Sequence, residues 1–452
     1  MRPATIIKLI VLAIFVTVGP TLLLWTAGYR WNPRSGKIEA TGILVIDSEP
    51  AGASISIGEE NIHTITPARL TALLPRSYTV TVEKTGYRRW QGTSKVDGGK
   101  TAFLTRVRLF PENSPELLLE RAVKKLALSA DEATLAAAIK TESGGEIWAI
   151  NAANGEKKLL AEFPDEEIEK IDWSPAGKNL LAVSRNPTGL RAAIISEGKN
   201  VKLNPPEGAL ADINWSGSDP NRLLLTTIDR KGVRSLWLLP AQVSQATLLA
   251  RLSSSKYLAA APVGILEENV LTVAEARATS TEVWARTAGD VKTKTPLLIL
   301  PDGPYAFRPA PSPYLLLANL NRERLLLIDR ERREVLEEIP ATAALWNKEN
   351  RRELLYWDDV ELGLGEAGKE RITVTRLAEG IKKAAWLPGG THVLLLGKNK
   401  LLAIERLPQG EGRSTTELLA LTEAADFALA GESAFVAGAV GEKIGLWRVR
   451  LK

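Results

Sequence analysis

A unit of about forty residues recurs from residue 116 to residue 452 of this chain, and such repetition is typical of folds built from stacked copies of one small element. In each copy an apolar strand ends near an aromatic residue, a polar turn follows, and a second apolar strand begins. The clearest copy spans residues 171–183. Successive copies are anchored at Leu128, Trp173, Trp215, Ala261, Phe307, Trp346, Trp386 and Phe427, at intervals of about 39 to about 46 residues, near the length of one four-stranded unit.

A second recurring apolar strand follows five of the anchors by about 20 residues, where the third strand of such a unit belongs. Asn154-Gly155 joins one of these strands, at residues 146–150, to the next apolar run at residues 158–160, and this dipeptide is a strong hairpin signal. We therefore predict an all-β, seven- or eight-bladed β-propeller over residues 116–452, with seven blades if the weak copy near Ala261 is spurious. Only three strands fit after Phe427, and we expect residues 116–120 to supply the fourth and so remove an exposed sheet edge.

The tryptophan anchors can be interpreted in two ways. Trp173-Ser174-Pro175-Ala176-Gly177 resembles TolB-like propellers, and the wider pattern is similar to WD40-like propellers. The regular phase of the anchors favours tryptophans that pack between neighbouring blades. The alternative is an aromatic platform for a sugar or a peptide, formed by Trp173, Trp215, Trp346 and Trp386.

Residues 40–110 read as a separate small β-sandwich, because short strands with period-two alternation lie between Pro and Gly turns. Residues 78–83 are the clearest case, with Tyr78, Val80 and Val82 on one face. The segment resembles the PEGA domain family in its ordered motifs Pro50-Ala51-Gly52-Ala53, Thr66-Pro67, Tyr78 to Val82, Gly86-Tyr87 and Trp90. It departs from the family at Ala51, where a Glu is usual, and at Arg76-Ser77. The resemblance implies an extracytoplasmic, surface-associated module without catalytic residues, joined to the propeller by a linker at 111–115.

Residues 1–30 read as a transmembrane anchor. The stretch from Leu9 to Trp25 has no charge, and about 20 apolar residues at 1.5 Å each match the thickness of a bilayer core. Trp25, Tyr29 and Trp31 cluster at one end, as aromatic residues do at a membrane interface. A cleaved signal peptide is the rival interpretation. Basic residues on both sides nearly balance, so the orientation rests on the following domains, which favour a cytoplasmic N-terminus and an extracytoplasmic bulk.

Few residues suggest chemistry. The chain has no cysteine and only two histidines, His63 and His392, which excludes thiolate chemistry and disfavours histidine-based metal sites and serine triads. His63 is expected in an exposed loop and His392 at a strand edge. Gly98-Gly99-Lys100-Thr101 lacks the earlier glycine of a phosphate-binding loop and reads as a hairpin turn. The formal net charge of +5 is too dilute to predict nucleic-acid binding.

We therefore expect a non-enzymatic binding or scaffold protein of the cell envelope, without cofactor or metal, whose propeller meets a protein or a cell-wall glycan. The alternative is a glycan-active hydrolase or lyase with carboxylates at the channel mouth, and Asp172, Asp212 and Asp358 are the candidates. Asp358 and Asp359 form a carboxylate pair after a strand, which could bind a cation or serve acid/base chemistry, but a solvated turn is the favoured interpretation. A purely structural wall-attachment protein is a third hypothesis. The oligomeric state stays open.

Overall fold

The structure is a computed structural model that describes residues 3–58, 60–196, 198–216, 219, 221–241, 246–252, 264–267, 270–287, 295–408 and 410–452. Helix α1 (Pro3–Thr26) comes first, and its side chains are described from Ile10 onward. Over the described part of the chain, no helix has the length and apolarity needed to cross a membrane. The transmembrane anchor therefore stays a prediction. A short hairpin of β1 (Tyr29–Asn32) and β2 (Lys37–Ala40) follows the helix.

The small domain has two facing sheets, so the predicted sandwich is confirmed. Its strands are β3 (Gly42–Glu49), β4 (Ser54–Ile57), β5 (Glu60–Ile65), β6 (Ala68–Leu73), β7 (Arg76–Glu83), β8 (Trp90–Val96) and β9 (Thr101–Arg108). One sheet has the order β6-β3-β9 and the other β5-β4-β7-β8. Tyr78, Val80 and Val82 are buried in a single core with residues of both sheets, because alternate side chains of β7 point inward.

Eight four-stranded antiparallel sheets lie between Glu116 and Arg450 within the described residues. β10 (Glu116–Leu119) belongs to the last sheet. Sheet 1 contains β11 (Val123–Leu128), β12 (Thr134–Thr141), β13 (Gly144–Asn151) and β14 (Lys157–Pro164). Sheet 2 contains β15 (Glu167–Trp173), β16 (Leu180–Asn186), β17 (Gly189–Ser196) and β18 (Lys199–Leu203). Sheet 3 contains β19 (Ala209–Trp215), β20 (Arg222–Ile228), β21 (Arg234–Pro240) and β22 (Thr247–Leu252), and sheet 4 contains β23 (Gly264–Glu267), β24 (Val270–Ala276), β25 (Ser280–Thr287) and β26 (Leu298–Pro301).

Sheets 5 to 8 continue the same order. Sheet 5 contains β27 (Tyr305–Arg308), β28 (Tyr314–Asn319), β29 (Arg324–Asp329) and β30 (Glu334–Ile339). Sheet 6 contains β31 (Ala343–Trp346), β32 (Glu353–Trp357), β33 (Glu361–Glu366) and β34 (Ile372–Arg376). Sheet 7 contains β35 (Ile381–Trp386), β36 (His392–Gly397), β37 (Lys400–Glu405) and β38 (Thr415–Ala420), and sheet 8 contains β39 (Glu423–Ala430), β40 (Ser433–Val440) and β41 (Lys443–Arg450) with β10. Within each of the first seven sheets, consecutive strands pair in sequence order.

The hydrophobic cores lie between sheets rather than within them. Each cluster joins two consecutive sheets, from sheets 1 and 2 around to sheets 7 and 8. One further cluster joins sheet 8 to sheet 1, with Leu118 and Leu119 of β10 packed against Leu135 and Phe435. The first strands also touch across this junction, since β11 contacts both β39 and β15. Apolar burial therefore runs around a closed circuit, as in a propeller.

The predicted closing strand is confirmed, because Glu116 and Leu117 of β10 pair antiparallel with Arg448 and Trp447 of β41. Three anchors need comment. The first strand of sheet 8 ends at Ala430, three positions after the predicted Phe427. The residue that ends the first strand of sheet 5 is Arg308, one position after the predicted Phe307. The weak copy near Ala261 falls outside the described residues, although sheet 4 begins shortly afterwards at Gly264.

Candidate functional site: the propeller channel and the domain interface

Charged side chains recur at one level of the innermost strands. In five of the eight first strands a β-bulge precedes the same position, and bulges re-aim the side chain that follows them. The residues after these bulges are Lys125, Lys170, Asp212, Lys383 and Asp426. Each is followed along its strand by an apolar residue that packs in a cluster between sheets: Leu126, Ile171, Ile213, Ala384 and Phe427. Because successive side chains of a strand point to opposite faces, the five charged side chains lie on the other face of each first strand.

Two of these lysines make the same contact with the next sheet. The Lys170 ammonium donates to Ile213 O at 3.1 Å, and Lys383 donates to Phe427 O at 2.7 Å. Lys383 also forms an ion pair with Asp426 at 2.7 Å. Because this lysine-to-carbonyl hydrogen bond occurs at two separate places in the propeller, we interpret it as a structural link between neighbouring first strands.

The two channel carboxylates of the enzyme hypothesis, Asp172 and Asp212, lie on the neighbouring strands β15 and β19. Burial raises the pKa of both carboxyl groups, while the nearby Lys170 partly counteracts this. Asn214 Nδ2 donates to Asp212 Oδ2 at 2.5 Å and its amide oxygen accepts from Lys170. The carboxyl group of Asp212 is thus held in a small polar network beside a cation.

The third candidate, Asp358, lies elsewhere. It follows β32 in sheet 6, where its Oδ1 accepts the backbone N–H groups of Val360 at 2.7 Å and Glu361 at 2.6 Å. This is an Asx-type turn, so the solvated-turn interpretation holds there. Within the described residues, no group of three His, Asp or Glu side chains could hold a metal ion.

The tryptophan anchors cross from sheet to sheet. Their indole N–H groups donate to backbone carbonyls of the first strand of the preceding sheet: Trp173 to Ala127 at 3.1 Å, Trp215 to Asp172 at 3.0 Å and Trp386 to Leu345 at 3.1 Å. In each case the acceptor is the penultimate residue of that strand. The packing interpretation is therefore confirmed for these three residues.

Trp346 departs from this rule. The equivalent carbonyl, Phe307 O, accepts Arg308 Nη1 at 3.4 Å instead. The indole of Trp346 stacks on Tyr314 with ring centroids 5.7 Å apart and planes 9° apart. Its buried Nε1 has no hydrogen-bond partner in the part of the chain that the structure describes.

Two cavities flank the ends of the first strands. The near mouth, our name for the cavity where first strands end, has a volume of about 310 Å³ and is lined by Trp346, Trp386, Leu345, Leu429, Glu132 and Glu349 among others. The far mouth, where first strands begin, has a volume of about 510 Å³ and is lined by Lys124, Lys125, Lys140, Lys382, Glu167 and Glu423 among others.

The small domain docks on the near-mouth side of sheets 7 and 8. Trp90 Nε1 donates to Glu405 Oε1 at 2.9 Å, and the other oxygen of this buried carboxyl group accepts Ser414 N–H at 3.0 Å. Glu411 N–H donates to Thr93 O at 2.7 Å, which covers the edge strand β8. Phe110 joins the core between sheets 7 and 8. The two domains therefore share a buried, hydrogen-bonded interface.

His392 lies in this interface, at the start of β36, and is buried rather than at an open strand edge. Its ring meets Phe110 edge to face at 5.4 Å. Burial, with a smaller effect from Arg108, lowers the pKa of His392 to about 4. The imidazole is therefore neutral near pH 7, and it packs against the Phe110 ring.

Two further sequence predictions have mixed outcomes. His63 is exposed as predicted, but it lies in strand β5 rather than in a loop. Gly98-Gly99 forms a turn, but it connects β8 to β9, which belong to different sheets, so it is not a hairpin. Sequence reasoning missed Glu405 and the propeller contact of Trp90, because nothing local marks residues that meet across 315 positions of chain.

Comparison with known proteins supports both parts of this description. Residues 41–109 match the PEGA domain model. The propeller is similar to the Dos1 propeller (11% identity, 74% of this chain and 93% of that chain, TM-score 0.54), and to the C-terminal WD40 domain of Sif2 (13%, 75% and 98%, 0.52). It also resembles Sqt1 of Saccharomyces cerevisiae (10%, 75% and 98%, 0.52). No curated protein matches significantly. At such low identity these structures show the fold alone: a segment that matches the PEGA domain model is followed by a β-propeller with a WD40-like fold.

Proposed function

We propose that this protein is a membrane-anchored, extracytoplasmic binding scaffold of the cell envelope, whose propeller presents its loops to a protein or glycan partner. The observation that carries the proposal is the buried interface between the PEGA domain and sheets 7 and 8. Because Trp90, Glu405 and Phe110 fix one domain on the other, a tether attached to the PEGA domain would also set the orientation of the propeller.

The anchor in this proposal is α1. The helix has 24 residues without an acidic side chain in its first turn, and its described large apolar side chains are exposed, as those of Ile10, Phe15 and Leu23 are. At its end Arg30 lies over the Trp25 ring at 3.8 Å, which suits a charged and aromatic membrane interface. We also infer that the eight sheets act as eight blades of one ring, closed by β10.

Topology can be tested cleanly because the chain lacks cysteine. We expect a Lys231→Cys variant in the propeller to react with a membrane-impermeant maleimide in intact cells. A Thr5→Cys variant should react only after permeabilisation. Labelling of Thr5→Cys but not Lys231→Cys in intact cells would overturn the orientation, and recovery of the whole chain in the soluble fraction would overturn the anchor.

The partner is tested by chemical cross-linking in membranes followed by purification of the full chain. We expect specific recovery of an envelope protein or a wall glycan, and loss of that partner from a variant with altered propeller loops. Turnover of a defined substrate together with no recovered partner would contradict the scaffold proposal.

One observation favours the enzyme alternative enough to test it. Asp172 and Asp212 lie on the first strands of neighbouring sheets, and burial raises the pKa of each carboxyl group, as general acids require. A propeller glycosidase or lyase would lose activity with either Asp172→Asn or Asp212→Asn. The contact of Lys170 with Ile213 O recurs between Lys383 and Phe427 O, which instead supports a structural role for Lys170, and we expect no glycan cleavage by the native protein.

A further inference from the structure

The short hairpin of β1 and β2 has one apolar face, and that face is exposed. Trp31 pairs directly with Ile38, and Tyr29 pairs with Ala40, so these four side chains lie on the same side of the hairpin. Tyr29, Trp31 and Ile38 are 40%, 61% and 53% exposed. Contiguous exposed apolar surface of this kind marks a site of interaction with another surface.

The opposite face of the hairpin is polar and makes contacts within the chain. It carries the pairs Arg30 with Glu39 and Asn32 with Lys37. Asn32 is buried, and its Nδ2 donates to Glu39 Oε2 at 2.7 Å, while Ser35 Oγ donates to Glu39 Oε1 at 2.6 Å. The hairpin therefore directs its polar side chains toward one another and leaves its apolar side chains available for contact.

The hairpin is held at the C-terminal end of α1. The Arg30 guanidinium donates to Trp25 O at 2.8 Å and lies over the Trp25 ring. At the other end of the hairpin, the backbone N–H and the Oγ1 of Thr41 both donate to Gly28 O, at 2.8 Å and 2.7 Å. Only two residues separate α1 from β1, and this link spans at most about 10 Å. The apolar face of the hairpin therefore stays close to the exposed side chains of Leu23 and Trp25.

We propose that this apolar face of the hairpin inserts into the lipid–water interface of a bilayer, as a second membrane contact beside α1. Trp and Tyr side chains are favoured at the depth of the headgroups, because each ring has an apolar body and a polar group. The inference rests on the proposed function and deepens it. A single helix can tilt and rotate in the bilayer, and interfacial aromatic and basic residues limit both motions, so the hairpin would fix the angle at which the tether leaves the membrane.

The charges of the hairpin favour an anionic lipid surface over a second copy of the chain. Between residues 27 and 41 there are three basic side chains, Arg30, Arg34 and Lys37, and one acidic side chain, Glu39. Basic side chains near a membrane are attracted to anionic headgroups, and their long stems let the charge reach those headgroups while neighbouring apolar side chains are buried. Two copies that met through this face would bring like charges together, which opposes their association.

The test uses the full chain reconstituted in vesicles of phosphatidylcholine and phosphatidylglycerol. Because the chain has no cysteine, an Ile38→Cys variant carries a single environment-sensitive NBD label on the apolar face. We expect blue-shifted emission, reduction by dithionite that is several-fold slower than at the opposite face, and quenching by a lipid with a nitroxide near its headgroup. Trp31→Cys, directly opposite Ile38, should respond in the same way, so the result does not depend on one variant.

Lys37→Cys is the matched control, because Lys37 is exposed and lies next to Ile38 on the opposite face of the same strand. Its label should stay accessible to dithionite. Equal responses at Lys37→Cys and Ile38→Cys in chains that float with the vesicles would overturn the hairpin contact and leave the helical anchor intact. Protection of the Ile38→Cys label without quenching by the nitroxide lipid would indicate a protein surface, such as a second copy, and would also overturn the proposal. Failure of the chain to float would instead overturn the anchor itself, and the hairpin contact with it.

Discussion

Trp90 belongs to the PEGA motif by sequence, yet its indole N–H bonds to Glu405 in sheet 7 at 2.9 Å. Removing the donor with Trp90→Phe keeps most of the ring packing and takes one partner from a buried carboxyl group. We expect the free energy of unfolding to fall by about 1–3 kcal/mol, measured by urea denaturation.

Trp148→Phe is the comparison for this prediction. Its N–H donates to Glu146, two residues away in the same strand, at 2.7 Å and in a half-exposed place. Its loss should therefore cost less than that of Trp90. Equal effects of the two substitutions would mean that the interface bond has no special weight.

His392 makes stability depend on pH. Its folded pKa of about 4 lies below the ordinary value of about 6.5, so between these values the unfolded chain binds more protons. The contribution is therefore complete above pH 6.5 and is lost as the pH falls toward 4, by at most about 3 kcal/mol. We expect His392→Gln to flatten the unfolding free energy over this window in chemical denaturation at several pH values. If His392→Gln keeps the native slope between pH 4 and pH 6.5, burial of the neutral imidazole does not contribute.

At the scale of elements, β10 closes the ring. Leu118 and Leu119 are nearly buried between sheets 8 and 1, 5% and 8% exposed. Leu118→Ala should lower the free energy of unfolding by about 2–5 kcal/mol, the usual cost of truncating a buried leucine. Glu116→Ala removes a half-exposed partner of the largely buried Arg448 and leaves that guanidinium its bond to Ala153 O, so it should cost less than Leu118→Ala.

Removal of residues 116–120 would leave β41 as an open edge, and open edges promote association between chains. We expect this deletion to shift the protein to larger species in size-exclusion chromatography. An unchanged monomer-to-aggregate profile would argue that sheet 8 does not depend on β10.

Sequence periodicity predicts β7 because its outer and inner side chains largely alternate, whereas the second strands of the propeller, such as β12 and β16, are buried on both faces and are marked by short continuous apolar runs instead. The anchor of sheet 5 is misplaced by one position because Arg308 takes the place of an aromatic residue. The bulges before Lys170 and Asp212 leave no local signal in the sequence, since any residue can occupy a bulged strand. The unsatisfied Trp346 depends on Arg308 in another sheet, which no spacing rule connects to it.

At the scale of the whole molecule, the domain interface depends on long-range contacts that sequence patterns do not encode. Arg88 donates to Leu418 O at 3.1 Å, and Lys452 pairs with Glu49 at 3.1 Å. These contacts join the start and the end of the chain. They fix the position of the small domain on the propeller.

Gly410 tests this coupling. It has a positive φ of 94°, and a Cβ there would lie 2.1 Å from Thr93 O in β8. Gly410→Ala should therefore push the loop between β37 and β38 away from the PEGA domain and break the Glu411 N–H to Thr93 O bond. We expect faster hydrogen exchange at the Glu411 amide, and faster proteolysis of the 111–115 linker.

Gly412→Ala is the matched control, because no atom lies within 4 Å of its added Cβ. Similar exchange in both variants would show that the domains are not coupled through this loop, whereas a change confined to Gly410→Ala would place the hinge of the molecule between strand β8 and sheet 7.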